Sequence, residues 1–165
     1  MGNMNIHFRQ VTQSDIDKFP VWYERIGGTE LFSNFIPSSF VSFEDSNDLR
    51  WFIIMDDSDE IGTIWFERKD PGKMIYDLGI YLNRISLFGK RVGRMVIKSA
   101  MDTILSEKDL QELYLDVRKE NMRAVRCYES IGFKTVQVWE KTIESGKIKV
   151  QRMKLQPGKY KGIVS

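Results

Sequence analysis

Two stretches of the sequence decide the fold. The first is Phe88-Gly89-Lys90-Arg91-Val92-Gly93-Arg94, a glycine-bearing loop that runs into a helix. The second is Asn121-Met122-Arg123-Ala124-Val125-Arg126-Cys127-Tyr128, which reads as the start of another helix. The largely apolar runs Met74–Leu82 and Leu113–Val117 precede them and read as strands. Strand, helix and strand in this order predict a right-handed crossover that leaves a parallel pair of strands.

The rest of the chain predicts a mixed sheet around this crossover. Alternation of apolar and polar residues predicts a first strand at Ile6–Val11, and Thr12-Gln13-Ser14-Asp15 has the spacing of a capping box, so a helix is expected from about Ser14 to Ile26. Turn signals separate further strands at Trp51–Met55, Ile61–Phe66, Phe133–Lys141 and Ile148–Leu155. The predicted class is α/β (mixed α+β), with a mostly antiparallel sheet, a central parallel pair and helices on both faces.

Composition limits the organisation and the partners of the chain. With 165 residues and 42% hydrophobic content, the sequence suits a single domain over 1–165, with a core over about 5–156 and a short basic C-terminal tail. The formal net charge is +2 with acids and bases interleaved, so no nucleic-acid partner is expected. No apolar run approaches membrane-spanning length, so no membrane partner is expected either. Exposed sheet edges in a domain of this size favour a homodimer.

Cysteine and histidine usage narrows the chemistry. Cys127 is the only cysteine, so no intrachain disulfide and no zinc-binding cysteine cluster can form, and a reducing, cytoplasmic location is expected. His7 is the only histidine, which leaves no plausible Ser-His-Asp array.

The loop over residues 88–94 suits a phosphate. Backbone N–H groups at a helix start are free to bind an anion, and Lys90, Arg91 and Arg94 add positive charge. Gly89 and Gly93 are four residues apart, which fits neither the dinucleotide fingerprint nor the Walker loop. The pattern indicates an abbreviated pyrophosphate cradle, and the alternative is an ordinary loop softened by glycine.

Asn121 and Tyr128 lie two helical turns apart and would place two polar groups on one helix face. Together with the loop they suggest a nucleotide-bearing cofactor and a proton donor in one cleft. The alternative for Asn121 is a plain helix N-cap, and the alternative for Tyr128 is a packing residue.

Taken together, these motifs closely resemble the GCN5-related N-acetyltransferase (GNAT) family. The resemblance rests on Gly89–Gly93, Leu115-Asp116-Val117 and the pattern Asn121-xx-Ala124-xxx-Tyr128-xxx-Gly132-Phe133, and it extends to Arg9-Gln10-Val11-Thr12-xx-Asp15 and Glu60-Ile61-Gly62. It covers nearly the whole chain. Two positions depart from the family pattern: Phe88 stands where Gln or Arg is usual, and Arg91 stands where Gly is usual.

The resemblance implies a cofactor, acetyl-CoA, and a set of residues that bind it. Its pantetheine arm would lie between the two parallel strands, along Ile80, Tyr81 and Leu82, and its pyrophosphate would rest on Phe88, Gly89, Lys90, Arg91, Val92, Gly93 and Arg94. Asn121 would contact the cofactor or order the helix start. No metal is implied.

The resemblance also implies direct attack of a primary amine on the thioester. Tyr128 would protonate the departing thiolate, since tyrosine keeps its proton at neutral pH. Asp77 would act as the base that accepts a proton from the amine, and Glu67 is a weaker candidate. The alternative for Asp77 is a strand-end carboxylate bonded to the adjacent turn.

The acceptor is the part of the reaction that the sequence leaves open. A small amine such as a polyamine, amino sugar or amino acid, or a protein N-terminus, would fit. Trp22, Tyr23, Phe32 and Phe35 are candidates to wall its pocket, although aromatic residues at such spacing also suit a core. The alternative function is an inactive CoA-binding regulatory or sensor module of the same fold.

Overall fold

The computed structural model describes residues 3–28, 35–44, 48–68, 70–107 and 109–157. Its strands and α-helices, in chain order, are β1 (Ile6–Gln10), α1 (Lys18–Arg25), β2 (Leu49–Asp56), β3 (Asp59–Glu67), β4 (Ile75–Leu82), α2 (Val92–Glu107), β5 (Glu112–Arg118), α3 (Met122–Ile131), β6 (Lys134–Ile143) and β7 (Gly146–Leu155). Short 3-10 helices cover Gln13–Asp15 and Ile85–Leu87.

The strands form one sheet of seven in the order β1-β2-β3-β4-β5-β7-β6. Every neighbouring pair is antiparallel except β4 and β5, which are parallel. The predicted class, a mostly antiparallel sheet with one central parallel pair, is therefore confirmed. The sequence did not indicate that β7 lies between β5 and β6.

The parallel pair is short, because β4 leaves β5 soon after the two strands meet. Pairing runs only from Ile75 opposite Glu112 to Asp77 opposite Tyr114. Beyond Asp77, β4 continues along β3 to Leu82, while β5 continues along β7 to Arg118. The two central strands diverge and leave a gap between them.

The helices cover both faces of the sheet, as predicted. Successive side chains of a strand point to opposite faces, so β2 supplies Trp51 and Ile53 to one core and Phe52 and Ile54 to the other. The first core includes α1 and is called the α1 face below. The second core contains the buried side chains of α2 and α3.

Helix α2 has the apolar stripe that its sequence predicts. Val92, Val96, Ala100 and Ile104 recur at every fourth residue, and each of them is at most 4% exposed. This stripe fixes the rotation of α2 about its axis, and with it the direction of the loop that precedes the helix.

The first helix differs from its predicted bounds. A 3-10 turn at Gln13–Asp15 and a separate α1 from Lys18 replace one continuous helix from Ser14 to Ile26. Pro20 explains the break, because it has no N–H to donate to a carbonyl four residues earlier and is tolerated only in the first turn. By starting at Lys18, α1 places Pro20 in its first turn.

A charged cluster ties β1 to α1 and to the β2–β3 hairpin. The buried carboxylate of Asp15 accepts hydrogen bonds from Arg9 Nη1 at 2.9 Å, Lys18 Nζ at 2.9 Å and the backbone N–H of Thr12 at 2.8 Å. Burial by itself would raise the pKa of Asp15, but these donors outweigh it and hold the pKa below its usual range. Glu60 accepts from both Arg9 and Lys18. The capping box predicted at Thr12 is present.

Trp65 lies flat across β4 at Gly79. The two residues are opposite each other in the β3–β4 register, and a Cβ at Gly79 would overlap the Trp65 indole. The ring is buried and makes an edge contact with Tyr81, with their centroids 6.2 Å apart. Glycine is therefore required at position 79 by the close approach of the indole.

We expect Gly79→Ala to lower the free energy of unfolding by about 2 kcal/mol, because the added methyl group overpacks a closed part of the core. In a Trp65→Val background the same substitution should cost less than about 0.5 kcal/mol, since the indole is gone. Urea denaturation of the four proteins measures both values. An equal loss in the two backgrounds would contradict the assignment of the clash to Trp65.

Candidate active site

The edge of β4 that faces the gap carries unsatisfied backbone groups. The N–H of Asn83 donates to the carbonyl of Ile61 at 2.8 Å. Since hydrogen-bonded pairs alternate along antiparallel strands, Tyr81 and Gly79 also bond to β3, while Ile80 and Leu82 direct their N–H and C=O towards the β5 side. No described β5 residue pairs with Ile80 or Leu82. This stretch can accept an extended ligand as if it were another strand.

A cavity of about 340 Å³ opens at this edge. Its walls come from the end of β4, the loop before α2, the first turns of α2, and one face of α3. The predicted cofactor residues in its lining are Ile80, Tyr81, Leu82, Phe88, Gly89, Arg91, Val92, Gly93, Arg94, Asn121 and Tyr128. Of the predicted cofactor residues, Lys90 alone is outside the lining, and its side chain is exposed.

The loop before α2 turns through two left-handed residues. Gly89 has a φ of +72° and Arg91 has a φ of +62°. The first suits glycine, whereas a left-handed arginine carries backbone strain. The turn brings α2 in at Val92 with the N–H groups of its first turn unpaired within the helix. These N–H groups and the positive end of the helix dipole suit a phosphate.

Gly93 keeps the start of α2 open. A Cβ at this position would lie 3.9 Å from the Sγ of Cys127 and would meet no closer described atom. Among the described residues, the Cys127 thiol is therefore the group nearest to Gly93 in the gap between the two helices. Burial raises the pKa of Cys127, while the nearby guanidinium groups of Arg94 and Arg123 oppose that shift.

The two polar atoms of the Asn121 side chain, Oδ1 and Nδ2, have different surroundings. Its Oδ1 accepts a hydrogen bond from the N–H of Ala124 at 3.4 Å and caps α3. Its Nδ2 is buried at the cavity wall and has no hydrogen-bond partner among the described residues. A buried donor without a partner is costly, so this atom indicates a ligand with an acceptor oxygen.

Tyr128 lies on the same helix, inside the cavity wall. Its ring is buried, and its edge contacts Phe133 with centroids 6.0 Å apart. Burial raises the pKa of Tyr128 above its ordinary value, with a smaller opposing effect of Arg123. The hydroxyl therefore keeps its proton at neutral pH and can donate it.

The cavity is strongly positive. Four guanidinium groups line it, from Arg91, Arg94, Arg123 and Arg126, and no Asp or Glu lines it among the residues that the structure describes. Arg123 lies over the ring of Phe88, with its Cζ 4.1 Å from the ring centroid. This stack joins α3 to the loop, across the cavity.

Asp77 lies elsewhere, on the α1 face at the point where the strands diverge. Its carboxylate accepts a hydrogen bond from Arg152 Nη2 at 2.8 Å, and Arg152 Nη1 donates to Asp116 at 3.0 Å. Asp77 does not line the cavity. Its role as a base stays a prediction, and its bond to Arg152 differs from the turn contact that was the alternative.

Glu67, the weaker candidate, is buried opposite Asp77 in the β3–β4 register. It accepts hydrogen bonds from the Ser38 hydroxyl at 3.2 Å and from the backbone N–H of Ser39 at 3.0 Å. Its carboxylate therefore anchors the 35–44 segment to the sheet.

Aromatic residues enclose the α1 face beside the gap. Tyr81 donates its hydroxyl to the carbonyl of Phe35, and its ring contacts Tyr23 at 5.7 Å between centroids. Tyr23 also packs against the ring of Phe35 at 5.7 Å. Tyr81 lines the cavity as well, so it connects the two sides of the gap. Trp22 is a buried core residue, and Phe32 lies outside the described residues.

Sequence reasoning missed several residues of the cavity wall. They are Leu87, Ile97, Arg123, Ala124, Arg126, Cys127 and Ser130. The α3 members recur at three- and four-residue spacing, which places them on one helical face with Asn121 and Tyr128. That spacing was the available signal.

Comparison with known proteins identifies the class. A family model described as an acetyltransferase (GNAT) domain matches residues 5–134. The chain is 31% identical over 74 residues to a kanamycin resistance protein of Rhizobium radiobacter, an alignment that covers 45% of this chain and 67% of that protein. It is 29% identical over 69 residues to aminoglycoside N(6')-acetyltransferase type 1 of Klebsiella pneumoniae, covering 42% of this chain and 33% of that protein.

A solved structure shares the fold over nearly the full length. Spermidine N-acetyltransferase from Vibrio cholerae, crystallised with CoA and spermine, superposes with a TM-score of 0.75 and 22% identity, covering 94% of this chain and 97% of that chain.

The chain belongs to the GNAT acetyltransferase family, in which acetyl-CoA is the acetyl donor. The described helices include none that is both long and apolar enough to cross a membrane. The described residues also contain no group of three or more His, Cys, Asp or Glu side chains placed to hold a metal ion.

We expect Arg91→Gly to raise the free energy of unfolding by about 0.5–1 kcal/mol. A left-handed non-glycine residue costs about 1–2 kcal/mol, and the larger conformational entropy that glycine loses on folding offsets part of the relief. It should also weaken CoA binding, because one cavity cation is lost. Urea denaturation and isothermal titration with CoA measure the two effects.

Asp57→Gly is the matched control. Asp57 is the other described non-glycine residue with positive φ, at +52°, and lies in the β2–β3 turn outside the cavity. It should leave CoA affinity unchanged. A loss of stability in Arg91→Gly would show that the arginine is held there by favourable contacts rather than under strain.

Proposed function

We propose that this protein transfers the acetyl group of acetyl-CoA directly to a primary amine of a small cationic molecule. The observation that carries the proposal is the gap between β4 and β5, which opens on one side to a cationic cavity and on the other to a face with acidic and aromatic side chains. A donor and an acceptor can therefore approach the same point from opposite faces of the sheet.

The residues present fit the donor. The backbone of Ile80 and Leu82 offers strand-like hydrogen bonds to the pantetheine amides, and the Asn121 Nδ2 offers a buried N–H. The start of α2, with Arg91 and Arg94, offers donors and charge to the diphosphate. When bound there, acetyl-CoA supplies an acetyl thioester.

Tyr128 is proposed as the acid of the reaction. Its buried hydroxyl remains protonated at neutral pH, because burial raises its pKa. It lies on the cavity side of the gap and can give a proton to the sulfur that leaves. Cys127 lies against Gly93 at the start of α2, where the diphosphate would sit. Because the amine is proposed to attack the thioester directly, Cys127 is assigned no nucleophilic role.

Asp77 is proposed as the base on the acceptor side. It shares the α1 face with Tyr81, and it lies where the strands part. Arg152 Nη2 donates to one of its oxygens at 2.8 Å, which fixes the carboxylate beside the opening. Glu67 is bound by Ser38 and Ser39 and suits an anchoring role instead.

The acceptor is proposed to be an amino sugar or a polyamine. Asp77 and Asp116 are acidic, and the ring of Phe35, which is 37% exposed and packs against Tyr23, offers an aromatic surface to a cation. Relatives named for kanamycin resistance and aminoglycoside acetylation, and a structural neighbour named for spermidine acetylation, support the same class.

The test is acetyl-CoA turnover over a panel of kanamycin, spermidine, free amino acids and short peptides. We expect release of free CoA with kanamycin or spermidine above the background without acceptor, and acetylated product by mass spectrometry. Binding of CoA without acetylation of any amine would favour a regulatory or sensor module of the same fold and would contradict this proposal.

Tyr128→Phe should lower kcat by about 100-fold, the size typical of a lost general acid, while the affinity for CoA changes little. In the wild-type protein, kcat should show no alkaline decline up to about pH 10 from Tyr128, because its raised pKa keeps the proton on. Steady-state kinetics over pH 6–10 measure both.

Tyr76→Phe is the matched control for Tyr128→Phe. Tyr76 is a buried tyrosine whose hydroxyl has no partner among the described residues, and it does not line the cavity. Its variant should keep wild-type kcat. Equal kcat in Tyr128→Phe and Tyr76→Phe would remove Tyr128 from the mechanism.

A further inference from the structure

Two arginines of the cavity lie apart from the loop that suits a diphosphate. Arg123 and Arg126 are on α3, three residues apart, so their side chains leave the same face of the helix with Cβ atoms about 5–6 Å apart. Both line the cavity on the α3 side, and Arg91 and Arg94 line it on the loop side. The cavity therefore has cationic groups on two separate elements.

Arg123 is held in place by an aromatic ring. Its guanidinium carbon lies 4.1 Å from the centroid of the Phe88 ring. Stacking on the ring fixes the plane of the guanidinium and leaves its N–H groups at the edge of the plane free to donate. An aromatic residue at position 88 thus orders a cation at the cavity wall.

The cavity arginines differ from most other arginines of the chain in their partners. Five arginines outside the cavity lie within 4 Å of a carboxylate: Arg9, Arg50, Arg68, Arg84 and Arg152. For Arg91, Arg94, Arg123 and Arg126 the described residues provide no such carboxylate. Four like charges that converge on one cavity without a counter-charge favour a polyanionic ligand.

A diphosphate alone does not require all four cavity arginines. The start of α2, together with Arg91 and Arg94, already offers N–H groups and two cations to a diphosphate. Arg123 and Arg126 remain, and a pair of guanidinium groups matches a phosphate monoester, which carries about −1.5 to −2 charges at neutral pH.

We propose that Arg123 and Arg126 form a second phosphate subsite that binds the ribose 3′-phosphate of CoA and makes the protein selective for CoA over dephospho-CoA. The subsite rests on the proposed function, because it assumes that CoA occupies the cavity. It adds to that function a determinant of donor selectivity on α3, separate from the loop.

The experiment is isothermal titration of the wild-type protein with CoA and with dephospho-CoA, which lacks only the 3′-phosphate. CoA should bind at least about tenfold tighter, the size expected for charge-assisted hydrogen bonds to one phosphate. This comparison needs no variant, so it does not depend on how a substitution affects folding.

The same titrations are carried out with the variants Arg123→Gln and Arg126→Gln, singly and together. The double variant should bind CoA and dephospho-CoA with equal affinity. That affinity should equal the affinity of the wild-type protein for dephospho-CoA. Arg94→Gln should weaken both ligands by the same factor, because it acts at the diphosphate. Arg25→Gln, an exposed arginine of α1, should change neither.

The outcomes separate the two proposals. Equal affinity of the wild-type protein for CoA and dephospho-CoA would overturn the subsite and leave the proposed function standing. Undiminished discrimination in the folded double variant would likewise overturn it. No binding of either ligand by the wild-type protein would overturn the proposed function and the subsite with it.

Discussion

The parting of β4 from β5 after three residue pairs is the constraint on which the site depends. A strand buried in a sheet must satisfy the backbone groups on both of its edges, and beyond Asp77 no described strand does so along the edge of β4 towards β5. A ligand that offers amide groups along this edge completes the sheet. Arg152 reinforces the separation, because it bonds to Asp77 on one strand and to Asp116 on the other. The ion pairs join the two strands where their backbone pairing stops.

Electrostatics divides the two sides of this opening. On the side of α2 and α3 the wall is cationic, and its guanidinium groups lack carboxylate partners among the described residues. On the α1 face the carboxylates of Asp77 and Asp116 are paired with Arg152 beside the opening. An anion is therefore attracted to the first side, whereas a cation that approaches the second side meets carboxylates already bound by Arg152. Tyr81 is the residue common to both sides, since it lines the cavity and its hydroxyl bonds to the carbonyl of Phe35 on the α1 face.

Much of this arrangement can be predicted from short sequence patterns. Gly89, the apolar stripe of α2 and the cap at Asn121 act locally, and the structure has the corresponding turn, helix and cap. The features that escaped prediction depend on distant parts of the chain. Arg123 enters the cavity wall because Phe88 offers it a ring, and Trp65 requires Gly79 only because β3 and β4 are in one register. Proline is tolerated only in the first turn of a helix, so Pro20 makes α1 start at Lys18. The capping box at Thr12 instead indicated an earlier start. The α1 face combines residues from α1, β2, β3 and β4, and no spacing within one element indicates it.

The position of β7 has a consequence for how the molecule is made. This strand follows β6 in sequence, yet it lies between β5 and β6 in the sheet and supplies Arg152. During synthesis on the ribosome, β5 emerges long before the strand that pairs with its outer edge, and a nascent chain that ends before position 152 cannot brace the two central strands. The two central strands are therefore braced only after the chain has been made through position 152, and a product terminated earlier would expose an unpaired edge of β5 to the quality-control machinery of the cell.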